Sequence, residues 1–259
     1  MKLINDVRVV LRPIKRLANK IEKKCVELPF RFKSPAIGSP DWLIKAEVIY
    51  GGMVTNVART RVSPNDPRSK SELEIGGMTG GDRMLHHQYA KVYASYLQPF
   101  RSGGAKALAE FGILKGTGLA IWCDLFPESR VIGLDIDPNH FEGNEEDLRQ
   151  RGAFKRNKPE IYEYDQLLDG IAPLGKILNG QTLDIVIDDG LHSLDSILKT
   201  WRSVKPYLSN RFVYFIEDFS GLLDLCGSEF AGFDCHTEGL MTVVSAGLGK
   251  AHHKQANGQ

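Results

Sequence analysis

The chain has 259 residues, 42% of them hydrophobic and 25% charged, with 33 Lys and Arg against 32 Asp and Glu. This composition excludes the disordered, collagen-like and low-complexity classes, and a net charge of +1 argues against a nucleic-acid partner, whose phosphates call for a concentrated positive field. No run reaches the roughly 18 apolar residues of a membrane span, and Cys25, Cys123, Cys226 and Cys235 have neither disulfide-framework nor zinc spacing, which points to a reducing, cytoplasmic compartment.

Residues 1–28 lack the continuous apolar core of a secretory signal. Leu3, Ile4, Val7, Val10, Leu11, Ile14, Leu17, Ala18, Ile21, Cys25 and Leu28 recur at helical spacing among Lys2, Arg8, Arg12, Lys15, Arg16, Lys20, Lys23 and Lys24. The pattern predicts a basic amphipathic helix, kinked or split at Pro13. Such a helix suits an anionic membrane surface or a partner protein, and equally suits packing on its own domain or on a second subunit in a homo-oligomer. Prolines and glycines punctuate 29–81, where Glu47–Tyr50 and Met53–Val57 flank Gly51-Gly52 as a hairpin and Ser63–Gly81 reads as a mobile loop. A helix over Arg83–Leu97, stopped by Pro99, follows. The expected organisation is an N-terminal extension over 1–81, an α/β domain over 82–249 and a disordered tail over 250–259.

From Ala105 the pattern changes. Apolar runs at Ala107–Ile113, Arg130–Ile136, Glu160–Tyr164, Leu183–Asp188 and Phe212–Ile216 alternate with helical segments near Leu119–Phe126, Asn139–Arg151, Gln166–Leu178 and Ser193–Leu208. This alternation predicts βαβ units in a doubly wound, mostly parallel Rossmann-like sheet, with ligands at the carboxyl ends of the strands.

The first of these strands runs into Glu110-Phe-Gly112-Ile-Leu-Lys-Gly116-Thr-Gly118 and then a helix, and the second ends in Gly133-Leu-Asp135-Ile-Asp137. Glycines there let the backbone turn tightly and approach a ligand, and an acid about 20 residues on can accept from ribose hydroxyls, although turn glycines and a helix-capping Asp would read the same. Glu110 would repel a pyrophosphate and suits the cationic end of S-adenosylmethionine (SAM) better than a dinucleotide. Asp165, after the third strand, is placed to accept from an adenine amino group.

The fourth strand ends in Asp188-Asp189-Gly190-Leu191-His192 and the fifth in Glu217-Asp218. Side by side they bring up to four carboxylates to one edge. Like charges that close raise one another's pKa, and a hard divalent cation such as Mg²⁺, Mn²⁺ or Ca²⁺ resolves the conflict; capping or pairing with Lys and Arg is the plainer alternative. His192, beside that cluster, has a side-chain type suited to general base catalysis.

Glu110–Trp122, Leu125-Phe-Pro127 and Val131–Ile136 resemble the core of class I SAM-dependent methyltransferases. Ile187–His192 and Phe215–Asp218, with Gly81-Asp82-Arg83, His87-Gln-Tyr89 and Tyr93 upstream, resemble more narrowly the metal-dependent sugar O-methyltransferases of macrolide biosynthesis, related to cephalosporin hydroxylase-like sequences. The resemblance covers roughly Gly80 to Phe219. It implies Asp189, Glu217 and Asp218 as Mg²⁺ ligands, His192 as the base acting beside Asp189, and Glu110, Gly112, Asp135, Asp165 and Gln166 around SAM; Gly116, Gly118 and Asp188 complete the expected cofactor set. It also implies a sugar hydroxyl as acceptor. The chain departs from the family pattern at Leu191 (usually Ser), at Tyr164 (usually Gly) and at Leu208–Arg211, where a Pro-Gly-Gly turn is usual. With 41 residues after Asp218, the last strands of the sheet are expected to be abbreviated to one over Met241–Leu248. A catechol-type methyltransferase, an NAD-dependent oxidoreductase and a non-catalytic SAM-binding accessory protein are the competing readings.

Overall fold

The computed structural model describes residues 21–75 and 77–248. The expected helix over 1–20 and the tail over 250–259 lie outside the described residues.

Strands β1 (Val54–Val57) and β2 (Met78–Gly80) form a small antiparallel pair. The main sheet holds β3 (Ala107–Phe111), β4 (Arg130–Asp135), β5 (Glu160–Glu163), β6 (Leu183–Asp188), β7 (Leu208–Ile216), β8 (Asp234–Glu238) and β9 (Met241–Ala246), in the order β5-β4-β3-β6-β7-β9-β8. The first five in that order are parallel, and β9 runs antiparallel to both of its neighbours. Helices cover both faces, so β3, β6 and β7 read as near-continuous apolar runs rather than alternating ones. Period two still sorts their side chains. Leu108, Ile185, Ile187, Val213 and Phe215 face one layer with Leu43, Tyr93 and Trp122, while Ala109, Val186, Tyr214 and Ile216 face the other with Leu174 and Trp201. The strand order reverses between β3 and β6, which opens a crevice at their carboxyl ends.

Several expectations fail locally. Glu47–Tyr50 is the end of a helix over Pro40–Tyr50, capped by the Ser39 side chain with Pro40 in its first turn, and β1 pairs with β2 instead of forming a hairpin about Gly51-Gly52. Ser and Pro at those positions are the ordinary opening of a helix. Ser63–Gly81 contains β2 and a helix over Lys70–Ile75. Ser69 and Glu72 bond each other's backbone N–H groups, a capping box that outweighs the surrounding glycines and prolines. The helix expected over Arg83–Leu97 spans Ala90–Gly103, delayed by the left-handed Gln88, and Pro99 sits inside it. The helix expected over Asn139–Arg151 breaks in two around Gly143. Two late strands, β8 and β9, complete the sheet where one was expected.

Residues 21–31 are helical, and of the two orientations the sequence left open their apolar side chains take the outward one. Glu27 is buried, 2% exposed, while Ile21, Leu28 and Phe32 lie 55%, 53% and 80% exposed. Glu27 accepts from the Met53 amide (2.9 Å) and Lys24 Nζ (2.7 Å) and lies 3.2 Å from His86 Nε2. Burial by itself would raise its pKa; the bonds from Lys24, Met53 and His86 outweigh that and hold it below the usual value.

Glu47 has the opposite balance. Its buried carboxylate accepts the Met84 and Leu85 amides at 3.0–3.2 Å, yet burial pushes its pKa up to about 7. The unfolded chain releases this proton near 4.5 and the folded chain near 7. The group's contribution is therefore fully present below about pH 4.5 and is lost as pH rises through 7, a swing on the order of 3 kcal/mol at most. Urea unfolding between pH 5 and 8 is expected to show that fall, and Glu47→Gln to flatten it while lowering stability at every pH. An unchanged slope in the variant would assign the pH dependence elsewhere.

Candidate functional site

A pocket of about 550 Å³ opens at the carboxyl ends of β3, β4, β6 and β7. Glu110, Asp135, Asp165, Gln166, Asp189, His192, Glu217 and Asp218 line it, facing Arg59, Arg61 and Asp82-Arg83 from the segment before the sheet. The expected convergence of the two acidic strand ends is present. The Asp189 amide donates to the Phe111 carbonyl (2.9 Å) and the Glu217 amide to the Asp188 carbonyl (3.0 Å), so the ladder carries both pairs to one edge.

At the bottom of the pocket the charge centre is Arg83, only 7% exposed. Its guanidinium reaches Glu110 Oε1 (2.7 Å) and Asp189 Oδ2 (2.6 Å), and Nε lies 2.8 Å from Glu217 Oε1 without hydrogen-bond alignment. Tyr93 Oη donates to Glu217 and Trp122 Nε1 to Glu110 (3.1 Å). Burial raises the pKa of both glutamates; Arg83 opposes this, and for Glu217 the like charges of Asp189 and Asp218 add to the rise. Sequence reasoning gave Arg83, Tyr93 and Trp122 no role, and the only signal was the resemblance of their segments.

Nearer the mouth, Asp189, His192 and Asp218 each present a ligand atom, all within 4.8 Å of one another. Asp218 Oδ1 accepts from Tyr89 Oη (2.7 Å) and lies 3.0 Å from His87 Nδ1. Burial would raise the pKa of Asp218, but His87 and Tyr89 hold it low, and the same contact raises that of His87. His192 Nδ1 lies 3.2 Å from the Glu217 carbonyl oxygen. A carbonyl can only accept, so Nδ1 carries a hydrogen and Nε2 is the nitrogen left for other partners. Nε2 lies 3.6 Å from Asp189 Oδ1.

The donor set fits a hard cation. Asp82, Glu110, Asp189, Glu217 and Asp218 gather here around Arg83 and His87, and the carboxylate oxygens of Asp189 and Asp218 are donors of the kind a hard divalent ion takes. Of the expected ligands, Asp189 and Asp218 converge, whereas Glu217 is turned to Arg83 and Tyr93.

The expected cofactor residues fall into two groups. Asp135 and Asp165 line the crevice, but the Asp135 carboxylate also accepts the amides of Ile113, Leu114 and Asp137 at 2.8–3.0 Å and so shapes the glycine loop. Gln166 donates to Asp188 (2.7 Å) and Thr200 (2.9 Å) and accepts the Leu191 amide (3.0 Å), while Asp188 also accepts from Tyr214 (2.9 Å). These two brace the strand ends. Among the glycines, Gly112 has φ 83°, and a Cβ there would strike the Asp189 backbone. A Cβ on Gly118 would strike the Glu110 carboxylate and Arg83, so its bareness makes room for the buried ion cluster. Gly116 opens the following helix in the left-handed conformation. Glu110, 1% exposed, is held by Arg83 and Trp122.

No protein-family model matches the chain, and no curated protein matches it. Among solved structures it is similar to the MycE methyltransferase of the mycinamycin biosynthetic pathway, solved in complex with Mg and SAH (S-adenosylhomocysteine): 21% identity, 62% of this chain and 50% of that one, TM-score 0.49. It is also similar to a putative O-methyltransferase from Klebsiella pneumoniae (13% identity, 83% and 91% covered, TM-score 0.46) and a putative caffeoyl-CoA O-methyltransferase from Staphylococcus aureus (13%, 57% and 78%, 0.44). The chain spans about half the length of the mycinamycin-pathway enzyme. At such identities and scores the fold rests on the strand order itself. Five parallel strands, with an antiparallel strand slotted beside the last of them, make the Rossmann-like methyltransferase sheet expected from the sequence.

Proposed function

We propose that this chain is a SAM-dependent and divalent-metal-dependent O-methyltransferase acting on a sugar hydroxyl of a glycan, glycolipid or glycosylated metabolite, with His192 as general base. The observation that carries the reading is His192 Nε2 set beside the converging Asp189 and Asp218 in a pocket that begins at the glycine loop. When bound, SAM supplies an electrophilic methyl group, and a divalent ion lowers the pKa of the acceptor hydroxyl and orients it. The chain's own residues do the rest. Asp189 and Asp218 would hold the cation, while Glu217 stays turned to Arg83 and Tyr93 behind them. Arg83 fixes Asp189 through Oδ2, leaving Oδ1 toward the pocket. The Glu217 carbonyl fixes the imidazole of His192 through Nδ1, so that Nε2 takes the hydroxyl proton. Asp135 and Asp165, which line the crevice, would accept from ribose and adenine.

The test is thermal unfolding with SAM, S-adenosylhomocysteine and NAD, each with and without Mg²⁺, followed by transfer of labelled methyl from SAM to a sugar panel with and without EDTA. Ligand at about 100 times its dissociation constant is expected to stabilise by about 2.7 kcal/mol. SAM and S-adenosylhomocysteine should raise the midpoint, NAD should not, and EDTA should abolish transfer. A shift with NAD alone would replace this reading with an oxidoreductase.

A further inference from the structure

The helical residues 21–31 and the turn after them present a surface that the pocket does not use. Ile21, Cys25, Leu28 and Phe32 recur at steps of four, three and four residues, which places them on one stripe of a helix. All four are exposed. The opposite side holds the anchor, since Glu27 is the buried residue and bonds to Met53 and Lys24. The helix is therefore fixed by a polar face and turns its apolar face outward, the inverse of a helix packed on its own domain. Upstream, Leu3, Val7, Val10, Ile14 and Leu17 continue the same spacing in the sequence.

Charge decides what covers the stripe. Residues 1–33 carry ten Lys and Arg against three Asp and Glu, while the rest of the chain carries 23 against 29. A second copy of this segment would meet the first with like charges. Among the described residues, the other exposed large apolar side chains on the sheet domain, Leu168, Ile171, Leu225 and Leu240, do not share one element, so a second copy offers no matching stripe there. An anionic lipid leaflet offers both apolar depth and opposite charge. We infer that this protein docks peripherally on anionic membranes through the stripe Ile21, Cys25, Leu28 and Phe32, the net positive charge of the sequence over 1–33 favouring anionic headgroups. The attachment is to the surface, because no described helix is long and apolar enough to cross a membrane.

The test is co-sedimentation of the full chain with vesicles of phosphatidylcholine plus phosphatidylserine and with vesicles of phosphatidylcholine alone. Binding is expected to the first only and to fall as salt rises. Leu28→Glu/Phe32→Glu is expected to weaken it by roughly tenfold or more while leaving the thermal midpoint unchanged, since both side chains are exposed. Should the double variant unfold, Phe32→Glu alone, at the most exposed position of the stripe, gives the same reading. Equal binding to both vesicle types, or no effect of the substitutions on binding, would overturn the inference. So would a dimer seen by sedimentation equilibrium without vesicles that these substitutions dissolve, which would make a second copy the occupant.

Discussion

Arg83→Met is expected to cost about 3–5 kcal/mol of stability, the range seen when one member of a buried ion cluster is removed and its partners are left charged. Glu110 and Glu217 are each 1% exposed, and Asp189 shares the same guanidinium. Without Arg83 the glutamates can escape the penalty only by holding protons. Their folded pKa values would then rise further above the unfolded value, so the loss should be larger at pH 8 than at pH 5. Arg83→Lys restores the charge but not the fork that reaches three carboxylates, and should recover only part of the loss. Arg83→Met/Glu217→Gln should be less damaged than the sum of its single changes, because the two groups share one network. Urea unfolding of the parent and the four variants, Glu217→Gln alone included, at both pH values decides the matter. A Met variant within about 1 kcal/mol of the parent would show that the cluster is not held by this cation.

His192→Ala is expected to lower methyl transfer by 10²–10⁴-fold, the usual contribution of a positioned general base, while leaving SAM affinity by calorimetry near that of the parent. The expectation rests on the proposed function. His192 has φ 55°, a left-handed conformation that Asn tolerates better than Ala. His192→Asn thus keeps the backbone and a donor toward the Glu217 carbonyl while removing the basic nitrogen. It should be as inactive as the Ala variant and more stable. Activity retained in the Asn variant would remove Nε2 from the reaction.

The sheet was legible because strands buried on both faces must be apolar throughout, and because β6 and β7 stop abruptly in paired acids that no apolar core would admit. Arg83 was not legible. In the sequence it is one of 33 basic residues, and its importance emerges only when Glu110, Asp189 and Glu217 arrive around it from three strands. The glycine loop showed its turns but not their cause: Gly118 is bare so that an ion pair can sit against it, and Gly112 so that two loops can touch. Ser39-Pro40 and the Ser69–Glu72 box were present as signals but stood among prolines and glycines that argued for loops. Helical periodicity placed the apolar stripe of 21–31 correctly on one side but could not tell which side faces the protein, since a single buried glutamate reverses it.

The contacts that build the site join distant parts of the chain. Tyr89 meets Asp218 across 129 positions, Tyr93 meets Glu217 across 124 and Arg83 meets Asp189 across 106. Closing such long loops precedes any reward from the contacts they make. While the chain is being synthesised, Arg83 can find Glu110 early but must wait for β6 and β7 before its remaining partners exist. A chain stopped before Glu217 would carry the glycine loop and Asp135, yet lack the Glu217-Asp218 pair that Tyr93 and Tyr89 bind. Completion of the pocket therefore reports that synthesis has passed Asp218, and chains stopped earlier would be set apart by failing to assemble it.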